Sequence, residues 1–447
     1  MTKRKKTQVL KRLQSFFVSP VANSLENSEL KHWMTCESSK LNLSELNSAI
    51  VFLNKLIDAN TSVPSDELVV QQRGRLIDLL TLILTKGNVQ PDWVGILLSN
   101  NLREAGAAYN RIATAAAKEM DDVKAAEYWA QGATCLGELL ATYPVQPDWV
   151  SNLHANHLRE AGVACNRIAT AAAKEMYDVK AAEYWAQGAT CFGELLATYP
   201  VQPEWVSILH GNHLREAGLV CNRIATAAAK EMDDVKAAEY WAQGSTCFGE
   251  LLETYPVQPD WVSVLHGNHL REAGVTCNRI ATAAVKEMDD VKAAEYWAQG
   301  ATCFGELLAT YPVQPDWVSV LHGNHLREAG VECNRIATAA AKEMDDVKAA
   351  EYWVQGATCF GDLLATYPVQ PDWVSVLHGN HLREAGVVCN RIATAAAKEM
   401  DDVKAAEYWA QGATCFGELL ATYPVQPDWV SVLHSNHLRE AGVVGNQ

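Results

Sequence analysis

QPDWVSVLHGNHLREAGVVCNRIATAAAKEMDDVKAAEYWAQGATCFGELLATYPV, residues 370–425, recurs almost letter for letter along the chain. Its tryptophan falls at Trp93, Trp149, Trp205, Trp261, Trp317, Trp373 and Trp429, each 56 residues after the last. A fixed period of this size marks an array in which every unit buries its apolar face against the next. A length of 447 residues would by itself suggest about three domains, and the repeat overrides that count.

Within one unit, residues 147–202, Pro147 at a first helical position followed by Asp148 marks a helix start. Trp149, Leu153, His157, Ala161, Cys165, Ile168, Ala172 and Met176 follow at steps of three and four, one amphipathic face. Such a helix is roughly 42 Å long at 1.5 Å per residue. It passes Gly162 and is read as continuous there. A short turn at 176–178 leads to a second helix carrying Val179, Ala182, Ala186, Ala189, Gly193 and Leu196, with Trp185 and Phe192 beside that stripe. Tyr199–Pro200 ends it, because proline cannot continue a helix. The unit is an antiparallel hairpin joined to its successor by Val201–Gln202.

Outward from the repeat, four regions are expected. Residues 1–41, basic and then polar, form a poorly ordered lead-in that Trp33 and Cys36 tack onto the first helices. Residues 42–90 form a diverged capping hairpin, with one helix from near Ser44 and a second from about Ser65 to Lys86, stopped by Gly87. Residues 91–426 hold six repeats, and residues 427–447 form a partial seventh, a single capping helix. The fold class is all-α, an α-solenoid of stacked antiparallel helix hairpins with a 56-residue period.

The stretch IATAAAKEMYDVKAAEYWAQG, Ile168 to Gly188, resembles the inner part of a tetratricopeptide repeat. Ile168–Ala169 stand at the Leu–Gly slot, Ala172 at the Tyr slot, Ala181 after the turn, Trp185 at the Phe slot and Gly188 at the next small position. The similarity extends over residues 91–426. The period here is 56 rather than 34, Cys165 fills the early Trp slot, and the terminal proline comes late, at Pro200. The resemblance implies a right-handed stack of helix pairs that binds protein segments on one face.

Charge narrows the partners. The unit 371–426 carries four basic and seven acidic residues, a balance of −3, and the whole chain stands at −16. That disfavours nucleic acid, whose phosphates need a basic surface. No run approaches the roughly 18 apolar residues of a membrane span, and the basic start lacks the apolar core of a secretory signal. The KRKK run at residues 3–6 reads as a solvated terminus before a nuclear address or a membrane-surface anchor. The 12 cysteines, mostly two per unit, read as small apolar filler in a reducing cytoplasm. Cys165 and Cys191 should face each other within one hairpin as reduced thiols.

Histidine gives the most suggestive pattern, a His-x-x-His pair at His154/His157, His210/His213, His266/His269, His322/His325, His378/His381 and His434/His437. Spacing of three places both rings on one side of a helix, as two metal ligands require. A third ligand is missing at usable spacing, since Glu160 drifts round the helix and Cys165 lies two turns away. The first unit has Leu98 and Asn101 instead. Among the pairs, His210, His213, His266, His269, His322 and His325 are the metal candidates, and hydrogen bonding to histidine or glutamate between stacked units is the plainer expectation.

Two columns vary between units. Ala164, Val220, Thr276, Glu332 and Val388 change chemistry freely, so the column is expected to be exposed and to form the partner-binding surface. Ser99, Ala155, Gly211, Gly267, Gly323, Gly379 and Ser435 stay small, as close approach of another backbone would require. No phosphate loop, nucleophile elbow or paired-carboxylate signature is present. The sequence thus reads as a non-enzymatic, cytoplasmic scaffold or sensor, without a cofactor, binding a protein or peptide along an extended surface. The alternative is a metal- or redox-responsive protein using the histidine pairs or the thiols. Oligomeric state is left open.

Overall fold

The computed structural model describes residues 49–51, 53, 66–86 and 92–444 and divides into two compact units, Met1–Glu216 and Ala217–Gln447. Among the described residues the only regular elements are helices. Unit one holds α1 (Asp66–Lys86), α2 (Asp92–Lys118), α3 (Asp122–Thr142), α4 (Asp148–Lys174), α5 (Asp178–Thr198) and the first half of α6 (Glu204–Lys230). Unit two holds the rest of α6, then α7 (Asp234–Thr254), α8 (Asp260–Lys286), α9 (Asp290–Thr310), α10 (Asp316–Lys342), α11 (Asp346–Thr366), α12 (Asp372–Lys398), α13 (Asp402–Thr422) and α14 (Asp428–Val444). Within each unit, helices adjacent in sequence pack against each other. The lead-in at 1–41, most of the helix expected from Ser44, and Gly87 lie outside the described residues.

Each repeat hairpin begins on its QPDW or, at α6, QPEW signature. Pro259 is the N-cap of α8 rather than its first helical residue, because its extended ψ of 144° precedes the helix and its carbonyl accepts from Val262 N–H at 3.0 Å. Asp260 then places a carboxylate against the positive helix end. The preceding glutamine closes the helix before it, as Gln258 Nε2 donates to the Tyr255 carbonyl at 3.1 Å. The long first helix runs unbroken past its glycine. At Gly274 an added Cβ would stand 2.7 Å from the Phe304 ring, so the missing side chain makes room for that phenylalanine.

The hairpin turn sits on a methionine. Met288 has φ of 58°, and its N–H donates to the Val285 carbonyl while Asp289 N–H donates to Ala284. This is a Schellman closure with methionine where glycine is usual. Asp289 also caps the next helix, its Oδ1 accepting from Lys292 N–H at 3.1 Å. The same positive φ recurs at Met120, Met176, Met232, Met344 and Met400. Met288→Gly should therefore raise stability by about 0.5–1 kcal/mol, since glycine takes this conformation without the Cβ penalty. An unchanged or lowered urea midpoint would contradict that expectation.

The buried faces differ from the expected stripes at their edges. His157, Ala161, Cys165, Ile168 and Ala172 are buried, whereas Trp149 is 46% exposed and Met176, held in the turn, is 84% exposed. On α5 the buried face is Ala181, Ala182, Trp185, Gly188, Ala189, Cys191, Phe192 and Leu195, while Ala186 and Val179 face solvent. Trp185 and Phe192 are thus the centre of that face, not its flank. Apolar clusters span successive hairpins: in unit two, Leu270 of α8, Phe304 and Leu307 of α9 and Val318 of α10 form one. Burying such side chains contributes about 1.5–3 kcal/mol each.

Candidate functional site

The variable column is buried. Ala164, Val220, Thr276, Glu332 and Val388 expose between 0% and 2% of their surface, which overturns the expected open surface. The column packs on the small residues and tryptophan of the preceding hairpin, as Ala164 does with Ala125, Ala126 and Trp129, and Val388 with Ala349, Ala350 and Trp353. Polar variants survive there because an arginine three residues on serves them. Arg279 Nη2 donates to Thr276 Oγ1 at 3.2 Å, and Arg335 Nη1 donates to both Glu332 oxygens at 2.9 and 3.0 Å.

That service has a consequence at one joint. Elsewhere the arginine bridges to an aspartate of the preceding hairpin, Arg167–Asp122 and Arg391–Asp346 at 2.6 Å and Arg279–Asp234 at 2.7 Å. Beside Glu332, Arg335 lies 3.9 Å from Asp290. Burial holds the Glu332 carboxyl above the usual range, with Arg335 opposing that shift. Glu332→Val, the residue type of Val220 and Val388, should raise stability by about 1–3 kcal/mol by removing a buried carboxylate and freeing Arg335 for Asp290. A lower thermal midpoint for the variant would contradict this.

The two histidines of each pair turn to different neighbours. His266 Nδ1 lies 2.9 Å from Tyr311 Oη and its Nε2 3.3 Å from Glu306 Oε1, both within its own hairpin. The tyrosine hydroxyl can donate to Nδ1, which leaves the Nε2 proton beside the glutamate at ion-pair distance but without a hydrogen bond. His269 Nε2 instead lies 3.2 Å from Asn222 Oδ1 of the preceding hairpin. Its ring stands 5.0 Å from Trp241 and 5.3 Å from Phe248, centroid to centroid, over Gly244. A Cβ on Gly244 would come within 2.2 Å of that ring. The expected glutamate contact therefore lies inside a hairpin, and the bond across the joint goes to asparagine. His213–Asn166, His325–Asn278 and His437–Asn390 repeat the second arrangement at 3.1–3.3 Å.

Rings that diverge in this way do not present two lone pairs to one ion. Among the described residues no three His, Cys, Asp or Glu side chains gather as ligands. Cys165 and Cys191 share one apolar cluster, and burial pushes both thiols up to about 12. Thiols held so far above neutrality are poor nucleophiles. The small column also has a side-chain cause rather than a backbone one, since a Cβ on Gly267 would meet the Tyr311 ring at 3.4 Å.

What remains open is a groove on the first helices, where no site residue was expected. On α4 it is lined by Asn166, Arg167, Thr170, Ala171, Lys174 and Glu175, and on α8 by Asn278, Arg279, Thr282, Ala283, Lys286 and Glu287, about 380 Å³ each. A related groove of about 390 Å³ on α12 adds Trp409, Asn436 and Arg439. The helical spacing of asparagine, threonine and lysine at steps of four is the signal that marks this face.

Helix hairpins at a 56-residue period define an all-α array of stacked tandem repeats. No family model and no curated protein matches the chain. Among solved structures it is similar to a circular tandem repeat protein with novel repeat topology, at 15% identity and a TM-score of 0.31, covering 90% of each chain. It is also similar to a Signal Transduction ATPase with Numerous Domains protein with a tetratricopeptide repeat sensor from Pyrococcus horikoshii. That match has 14% identity and a TM-score of 0.20, and covers 83% of this chain and 50% of the other. No helix among the described residues is long and apolar enough to cross a membrane.

Proposed function

We propose that the chain is a non-enzymatic scaffold, working in the cytoplasm, that holds protein segments on the recurring grooves of its first helices α4, α8 and α12. The observation that carries this reading is the recurrence of one groove with one set of side chains, Asn166, Arg167, Thr170 and Lys174 matching Asn278, Arg279, Thr282 and Lys286. With their Oδ1 atoms held by the joint histidines, the asparagines offer their amide N–H groups to a peptide backbone, the threonine hydroxyls, which donate within their own helix, offer acceptor oxygens, and lysine offers a cation to acidic side chains. Affinity then comes from many equal, modest contacts rather than from one special site. The excess of carboxylates keeps nucleic acid an unfavourable ligand.

The experiment is cross-linking with mass spectrometry on material captured by the full chain. Bound segments should link to Lys174, Lys286 and Lys398. Replacing these lysines by glutamate one, two and three at a time should weaken capture stepwise. Capture indifferent to all three, yet lost when Glu183, Glu295 and Glu407 on the second helices become lysine, would place the partner on the other face and overturn the reading.

A further inference from the structure

Among the described residues, the connector between hairpins exposes a valine at each junction, Val145, Val201, Val257, Val313, Val369 and Val425, each 93–94% accessible. The fold gives this side chain nothing to pack on. Even the buried column drifts from alanine through threonine to glutamate between units, while the valine stays unchanged. Beside it stand an exposed carboxylate and a tryptophan, Asp148 with Trp149 and Glu204 with Trp205, and at the second junction Ile208 adds a further exposed apolar side chain. Trp205 meets Phe192 at right angles, centroids 6.3 Å apart, and leaves 40% of its surface open. Each junction thus offers apolar surface next to a negative charge, and repeated apolar surface of this kind marks an interaction site.

One segment of the chain has the opposite charge and the matching pattern. Residues 3–17, KRKKTQVLKRLQSFF, carry six Lys or Arg, and no Asp or Glu occurs before Glu26. Val9, Leu10, Leu13, Phe16 and Phe17 recur at the spacing of one helical face. The chain re-enters the described structure beside the first junction. Ala49, Ile50 and Leu53 share an apolar cluster with Val150, and Tyr143 and Leu153 pack against it. The stretch between, residues 18–48, can span up to roughly 100 Å when extended. Tethering so near a complementary surface gives an effective concentration on the order of millimolar.

We infer that the junction edge of unit one, built by Val145, Asp148, Trp149, Val201, Glu204 and Trp205, is the docking surface for the chain's own residues 3–17. The apolar face of the segment covers the valines and the open tryptophan edges, and its lysines and arginines meet Asp148 and Glu204. This inference stands independently of the groove and its partner.

The test is carbodiimide cross-linking of the full chain at low concentration, with linked peptides mapped by mass spectrometry. Links are expected from Lys3, Lys5, Lys6 or Lys11 to Asp148 or Glu204, inside one chain and suppressed by high salt. V145K/V201K, two changes at fully exposed positions, should abolish them while helicity stays unchanged. Links spread evenly over Glu183, Glu194 and the other second-helix carboxylates would overturn the inference. So would no links at all. A mixture of isotope-labelled and unlabelled chains that gives only interchain links would assign the edge to a second copy, and that result also overturns it.

Discussion

Lowering the pH from neutrality should unfold the array before pH 4, through the histidines that fill its joints. Burial pushes His157, His213, His269, His325 and His381 down to about 4 from an ordinary 6.5. The groups around His269 are Asn222, Trp241, Gly244, Phe248 and Cys221, with His266 opposing its charge and the Cys221 thiol neutral at about 12. The folded chain therefore keeps these rings neutral where the unfolded chain protonates them. Their contribution is complete above pH 6.5 and is lost progressively as the pH falls toward 4. Each joint loses about 3 kcal/mol over that interval. Five such losses rival the 5–15 kcal/mol or so that a whole domain usually has. Urea unfolding followed by circular dichroism at successive pH values should show this slope, and His269→Asn should remove one proton from it. Stability that is flat between pH 7 and 5 would contradict the assignment.

The second large effect is a coupling across one joint. A side chain at Gly300 would meet the His325 ring, its Cβ 2.3 Å from Nδ1 and 3.2 Å from Cys277 Cβ. Gly300→Leu alone should destabilise by about 3 kcal/mol or more, as overpacking without room to relax does. His325→Asn alone should cost about 2–3 kcal/mol through the void left between Trp297 and Phe304. The chain itself contains the compensated pair. One joint earlier than the first Gly–His pair, Leu76 stands at the glycine position and Asn101 at the histidine position, both buried. The double variant should recover much of the summed loss, a coupling of about 2 kcal/mol or more. Strict additivity of the two losses, measured by urea midpoints, would mean that ring and glycine do not share one space. Full recovery is not expected, because Arg73 replaces the joint's tryptophan there and donates to Asn101 Oδ1 at 2.9 Å.

The hairpins were legible because period, proline and helical spacing all act locally. Asp148–Lys174 and Asp178–Thr198 lie where the steps of three and four and the Tyr–Pro stop place them. The joints were less legible, since a bond such as His213 to Asn166 joins residues 47 apart and leaves no local pattern. Column variation misled for a physical reason. Glu332 is tolerated inside because Arg335 reaches it from the same helix, so chemical freedom there reflects a flexible cation and not open solvent. Trp149 stands on the same apolar stripe as the core residues, yet a stripe cannot show where the next hairpin stops covering it. The grooves carry no rare residue, only asparagine, arginine, threonine and lysine on an exposed face. Such a face becomes visible only once the packing is known.

Removing one whole period tests most directly that interchangeable hairpins and equal joints make up the array. Deleting residues 259–314 takes out α8 and α9 together and rejoins Gln258 to Pro315, restoring the native Gln–Pro junction. Leu270 and Phe304 leave together, and Val318 regains the corresponding cluster from the hairpin of α6 and α7. The stability of such an array is a sum of unit and nearest-neighbour terms. The shortened chain should fold with unchanged helicity per residue, and its partner capture should weaken by degrees. Removing α9 alone should instead leave α8 unpaired and unfold the adjoining hairpins. A whole-period deletion that fails to fold, or that abolishes capture outright, would contradict the interchangeable array.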